Sequence, residues 1–203
     1  MEIIGVKEGP YLLVRNFYNE EELRLIWQEL DFLTYSDKLE PPSETGQPNN
    51  DMKMNKGIFL DSLYKYRSFS NILKVNRKLW CREIVEAIVN LNKIFSDYYT
   101  HTDSDNTLVS YYEQSDYYKP HHDRTITTAI SWHFREPKCF DGGQLVLPDI
   151  GHTIEVENNM LIMFPSCMLH GVIPVKMKGN YEPFSGYGRY AISNFTQFDP
   201  NKN

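Results

Sequence analysis

From Thr107 onward, apolar residues of this 203-residue chain recur at every second position, and that period confines the second half to β structure. The stretches 107–113, 127–134, 144–147, 153–156, 160–164, 170–175 and 189–195 each read as a short strand. Turn-forming residues separate them: Asp141-Gly142-Gly143, Pro148-Asp149, Asn158-Asn159 and Gly179-Asn180. Many short strands punctuated in this way predict a sandwich or jelly roll.

The first half follows another rule. Residues 11–14 form a short apolar run that fits a strand. Asn19 followed by Glu22 is a capping-box pattern, and Leu23, Ile26, Trp27, Leu30 and Leu33 (or Phe32) continue at helical spacing. They predict an amphipathic helix over 20–33. Trp80, Ile84, Ile88, Leu91 and Phe95 predict a second over 77–97. Between them, 34–56 is polar and carries Pro41, Pro42, Gly46, Pro48 and the pair Asn49-Asn50, a length and composition that suit a substrate-covering loop or a linker. Residues 57–63 return briefly to strand, and 100–106 read as a turn. No internal repeat or low-complexity tract divides the chain. The expectation is one α+β domain over 1–203, with a helical N-terminal support region (1–106) beside a β core (107–198).

Composition narrows the setting. No stretch approaches the roughly 18 apolar residues of a membrane span, and MEIIGVKEGP lacks the basic-then-apolar order of a secretory signal. Cys81, Cys139 and Cys167 are few and odd in number, so a disulfide framework is not expected and a cytoplasmic location fits. A net charge of −6 argues against nucleic acid as a partner. Fourteen Tyr and eleven Phe fill cores or line grooves for extended, Pro-rich peptides. Oligomeric state is not legible.

Chemistry concentrates in YEQSDYYKPHHD, residues 112–123. On a strand, His121 and Asp123 share a face. His170, in FPSCMLHGVIPV, supplies a third donor from a distance. Two His and one carboxylate on one side of a metal, with other positions open, is the donor set of non-haem Fe(II) oxygen chemistry. An isolated His-x-Asp is more often a polar surface strand, and His101-Thr102-Asp103 repeats the spacing within the polar turn. His122 must face away if His121 faces in, and His133 and His152 read as structural or solvated.

A wider pattern surrounds these donors. Tyr112 stands nine residues before His121 and Tyr118 three before it; Phe140-Asp141-Gly142-Gly143-Gln144-Leu145, the pair of runs LIMFPS (161–166) and HGVIPV (170–175), and RYAIS (189–193) follow in order. Together they resemble the Fe(II)- and 2-oxoglutarate-dependent dioxygenases, and within them the prolyl 4-hydroxylase type, over 108–198. The resemblance implies a double-stranded β-helix (jelly roll) core with flanking N-terminal helices. It also implies Fe(II) on His121, Asp123 and His170, 2-oxoglutarate as co-substrate on Arg189 and Tyr112, and ascorbate as a reductant. The implied reaction is hydroxylation of a C–H bond, foremost of a prolyl residue in a peptide or protein, with release of succinate and CO2. A hydroxylase of another amino acid or small molecule, or a jelly-roll binding module without turnover, are the alternatives. Relatives that install halogen lack the carboxylate kept here as Asp123, and no H-E-x-x-H supports a zinc hydrolase.

One departure concerns the cation. Many prolyl 4-hydroxylases carry a Lys nearer the distal His, so placing Arg189 in that role requires an insertion over 181–188. Arg suits a two-pronged bond to a carboxylate; Lys176 and Lys178 are the fallback. Candidate substrate contacts are Tyr118, Arg124, Tyr181 and Tyr187. The aromatic insertion and the 34–56 loop together read as a lid over the metal.

Overall fold

The structure is a computed structural model that describes residues 1–5, 10–45, 51–199 and 201. Strands β1 (Glu2–Gly5) and β2 (Leu12–Arg15) open the chain, followed by helix α1 (Glu20–Tyr35). The capping box forms as expected: Glu22 N–H donates to Asn19 Oδ1 at 2.9 Å and Asn19 N–H donates to Glu22 Oε2 at 2.8 Å. Ile26, Leu30 and Leu33 form the buried stripe, and Phe32 is exposed. Thr34 and Tyr35 therefore belong to the helix and not to the loop that follows. Gly46, Pro48, Asn49 and Asn50 of that loop lie outside the described residues.

Strand β3 (Lys56–Phe59) leads into the single helical turn α2 (Leu60–Leu63), so only half of the expected 57–63 strand is extended. Short α3 (Asn71–Val75) precedes α4 (Arg82–Leu91) and α5 (Lys93–His101). The single helix expected over 77–97 is corrected to two. Asn92 breaks it with an extended backbone and caps α5, accepting from Phe95 N–H at 2.9 Å; Asn offers the free helix terminus a better acceptor than it offers a helix interior.

Ten strands complete the chain: β4 (Ser104–Tyr112), β5 (Tyr118–His121), β6 (Thr127–His133), β7 (Phe140–Asp141), β8 (Leu145–Leu147), β9 (His152–Ile154), β10 (Met160–Pro165), β11 (His170–Val172), β12 (Lys176–Met177) and β13 (Arg189–Gln197). β4 begins at Ser104, inside the stretch read as a turn. All pairings are antiparallel, in a seven-stranded sheet β1-β2-β10-β6-β13-β4-β3, a four-stranded sheet β5-β11-β8-β9 and the pair β12-β7. This is the double-stranded β-helix with flanking helices.

Alternation in the large sheet separates two apolar cores. Leu161, Met163, Tyr190 and Ile192 face α1, α3, α4 and α5; Ile162, Phe164, Ile130, Trp132 and Ala191 face Leu145, Leu147 and Ile154 of the small sheet. The 1–106 region is more than helical support. Its strands β1 and β2 extend the sheet beyond β10, and β3 closes the other edge against β4.

Candidate metal centre

Two histidines meet because their strands pair. His121 of β5 and His170 of β11 are direct partners in the antiparallel ladder, with ring centroids 4.3 Å apart. Each imidazole is fixed by a carbonyl two residues earlier: His121 Nδ1 lies 2.9 Å from Lys119 O, and His170 Nδ1 lies 2.9 Å from Met168 O. A carbonyl can only accept, so each Nδ1 carries the proton and each Nε2 keeps a lone pair for a metal. Tyr118 stacks on His121 at 3.6 Å and holds the ring from its other face.

Asp123 reaches the same point by another route. β5 ends at His121, so strand alternation does not aim the carboxylate. Asp123 N–H donates to Ser166 O at 3.1 Å, and Thr128 Oγ1 donates to Asp123 Oδ2 at 2.6 Å. Its carboxylate then lies 3.6 Å from His121 Nε2 and 3.4 Å from His170 Nε2. The three donor atoms fall within 4.8 Å of one another, a cluster that could hold a metal ion. Burial alone would raise the Asp123 pKa, but its contacts with His170 and the Thr128 hydroxyl hold it below the ordinary carboxylate range. Burial and the neighbouring His170 push His121 down to about 4. Two neutral nitrogens and one carboxylate oxygen suit Fe(II).

A cavity of about 580 Å³ opens beside the cluster. Arg189, Ala191, Ser193, Phe195 and Gln197, alternate residues of β13, line it, as do Leu108, Ser110 and Tyr112 of β4. Arg189 is 1% exposed, and neither its Nε nor its Nη1 has an acceptor among the described residues. Its guanidinium sits 4.8 Å from the Tyr112 ring, its partner across β13–β4, and 5.9 Å from Trp132. Burial lowers its pKa to about 10, against the Tyr112 contribution, so it stays charged at neutral pH. A buried cation with idle donors fits the far carboxylate of 2-oxoglutarate. Gly143 makes room for it: at φ +71°, a Cβ there would lie 2.8 Å from Arg189 Cδ.

The other candidates divide. Tyr118 and Arg124 line the cavity; Tyr181 and Tyr187 do not. The 181–188 insertion is tied to the helical side of the sheet, where Phe184 N–H donates to Glu113 Oε1 (2.9 Å) and Gly186 and Gly188 N–H donate to Tyr111 Oη (3.1 and 3.0 Å). Tyr111 and Tyr112 face opposite ways on β4; Tyr181 packs against the inner core with Tyr112, yet no residue of 181–188 lines the cavity, and the lid expectation is corrected for it. Lys176 is exposed and Lys178 pairs with Asp141 at 2.9 Å, so neither replaces Arg189. His101 is exposed at the end of α5, its ring on Asp97 O. His122 is exposed, its Nδ1 2.9 Å from Cys167 O. His133 is buried on Ser131, and His152 bonds Tyr11.

Sequence reasoning missed Thr128, Ser166 and Lys53. Lys53 is 1% exposed, donates to Thr45 O (2.7 Å) and Thr45 Oγ1 (2.6 Å), and lies 5.4 Å from the Tyr118 ring. Nothing in the local sequence marks a Lys in a polar loop for burial.

Residues 107–197 match the sequence pattern of the 2OG-Fe(II) oxygenase superfamily. No curated protein matches the chain. Among solved structures, it is similar to a prolyl-4-hydroxylase of Pseudomonas putida, with 15% identity over 94% of this chain and 93% of that one and a TM-score of 0.60. It is also similar to a viral collagen prolyl hydroxylase from Paramecium Bursaria Chlorella virus-1, in its 2OG complex, with 15% identity, 93% and 94% coverage and a TM-score of 0.53. A 2OG-Fe(II) oxygenase family oxidoreductase of Burkholderia pseudomallei gives 11%, 93% and 85%, and 0.56. At these identities the likeness is one of fold.

Proposed function

On the premise that residues 107–197 belong to the 2OG-Fe(II) oxygenase superfamily, we propose that the chain hydroxylates a C–H bond, foremost of a prolyl residue in a peptide or protein. The observation that carries the chemistry is the buried guanidinium of Arg189, whose Nε and Nη1 have no acceptor among the described residues, in the cavity that also holds His121, Asp123 and His170. Prolyl specificity draws support from the two prolyl hydroxylases of similar fold.

His121, Asp123 and His170 would hold Fe(II), and Arg189 with the Tyr112 hydroxyl would hold the far carboxylate of 2-oxoglutarate. When bound, Fe(II) with 2-oxoglutarate and O2 would supply the oxidising power for hydroxylation, the 2-oxoglutarate being converted to succinate and CO2, with ascorbate as auxiliary reductant. The chain's own contribution is placement. Burial raises the Tyr112 pKa to about 12 despite the Arg189 charge, so its hydroxyl keeps the proton it would donate. Ile130, Leu145 and Val172 give the cavity a wall that sheds water. Thr128 and the carbonyls of Lys119 and Met168 hold the three donors in register.

The decisive experiment measures conversion of 2-oxoglutarate to succinate with and without Fe(II), and product from a proline-containing peptide by mass. Iron-dependent succinate is expected, with a gain of one oxygen on proline. Absence of iron-dependent succinate would sink the oxygenase reading; succinate without prolyl product would remove the prolyl part alone.

A further inference from the structure

We propose that the substrate carries an anionic group close to the carbon that reacts, and that Arg124 receives it; this rests on the oxygenase reading above. The cavity has a direction. Arg189 is buried at one end of β13, and Phe195 and Gln197 are half-exposed at the other, eight residues or about 27 Å along the strand. Thr128, which bonds Asp123, pairs with Phe195 in the β6–β13 ladder, so the metal cluster stands toward the open end. Co-substrate on Arg189 fills the inner part and leaves the outer part for the substrate.

Arg124 follows Asp123 directly, is exposed and lines that outer part. Its guanidinium has no hydrogen-bond or ion-pair partner among the described residues. The chain has more acids (27) than bases (21), yet among the described residues the only carboxylate lining the cavity is Asp123. Iron(II), Asp123, Arg189 and the doubly negative co-substrate neutralise one another. Arg124 is left over, with the buried Lys53 ammonium behind Tyr118 held by neutral oxygens alone. A surplus positive field around an open metal position favours a negatively charged substrate and disfavours a cationic one. Phe59, Leu108 and Phe195 give the same region an apolar floor for the substrate's body.

A carboxylate could come from an acidic side chain in a peptide or from a small free acid. The test therefore uses two matched probe pairs: a hexapeptide with central proline flanked by Glu or by Gln, and N-acetylproline or its amide. Binding to protein loaded with Fe(II) and 2-oxoglutarate without O2 is followed by calorimetry, and probe-dependent succinate is measured with O2. At least one carboxylate probe should bind about tenfold more tightly than its neutral twin. Arg124→Gln should abolish that difference, and Arg124→Glu should reverse it for a Lys-flanked peptide. Co-substrate binding, measured in parallel by calorimetric titration with 2-oxoglutarate, separates loss at Arg124 from loss of the co-substrate site. Equal binding of the twins, no binding of either carboxylate probe, or a preference that survives Arg124→Gln overturns the proposal. Loss of iron-dependent succinate from wild type in every condition overturns the oxygenase reading instead.

Discussion

Thr128 donates its hydroxyl to Asp123 Oδ2 at 2.6 Å, and this bond, not strand alternation, turns the carboxylate toward the two histidines. The same hydroxyl lies 2.9 Å from Ser166 Oγ, which lies 2.8 Å from Thr125 Oγ1, so the orienting bond belongs to a buried hydroxyl chain. Thr128→Val keeps the shape and deletes the donor. Metal affinity should fall about 10- to 100-fold, the usual effect of losing a ligand's outer partner. Titration with Fe(II) or Mn(II) checks this, and an unchanged affinity would show that Ser166 alone orients Asp123.

Arg189 and Gly143 make a linked pair. Arg189→Ala should raise the 2-oxoglutarate concentration needed by one to two decades, from loss of a charge-assisted bond of roughly 1.5–3 kcal/mol, with metal affinity retained. Gly143→Ala should act in the same direction, because its Cβ would sit 2.8 Å from Arg189 Cδ at a positive φ. Calorimetric titration with 2-oxoglutarate measures both effects. A Gly143→Ala protein that folds and binds 2-oxoglutarate normally would argue that Arg189 can shift without consequence.

The seven principal strands, the α1 cap and the three clustered donors were legible because each rests on local spacing or on a pattern with a physical period. What was not legible came from contacts distant in sequence. Asn92 gave no sign of ending a helix because Ile88, Leu91 and Phe95 keep the apolar period across it. β5 was readable as the strand bearing His121, but not that it stops there and passes Asp123 to Thr128 and Ser166. The 181–188 insertion was read as a lid from its aromatics. Its backbone N–H groups are bound by Glu113 and Tyr111 on the far side of the sheet, which no local pattern reveals.

That loop yields its own test. Tyr111 Oη donates to Glu113 Oε1 at 2.7 Å and accepts from two loop N–H groups. Tyr111→Phe leaves these without a partner and should cost about 1–3 kcal/mol in denaturant unfolding. Shortening 181–187 to a Gly-Ser link should lower peptide hydroxylation and substrate-free 2-oxoglutarate turnover equally, since the loop packs beside β4 and β13 and does not line the cavity. A selective loss of peptide hydroxylation would restore the lid.

The final expectation concerns acid. His133 is fully buried, its Nε2 3.1 Å from Ser131 Oγ, its Nδ1 without a partner among the described residues and its ring 5.7 Å from that of Tyr18. Burial pushes its pKa from 6.5 to about 3. The unfolded chain takes up a proton at this site below about pH 6.5, whereas the folded chain refuses one until about pH 3. Unfolding thus gains a proton throughout that window, and stability falls as pH drops through it, by up to about 1.4 kcal/mol per pH unit from this group. His133→Gln keeps a polar side chain next to Ser131 and removes the titration. Unfolding free energies of wild type and variant, measured without metal from about pH 7 to 4, should converge as pH falls, because other groups titrate alike in both. Parallel curves would mean that His133 is protonated in the folded state, and its burial would then need a counter-ion.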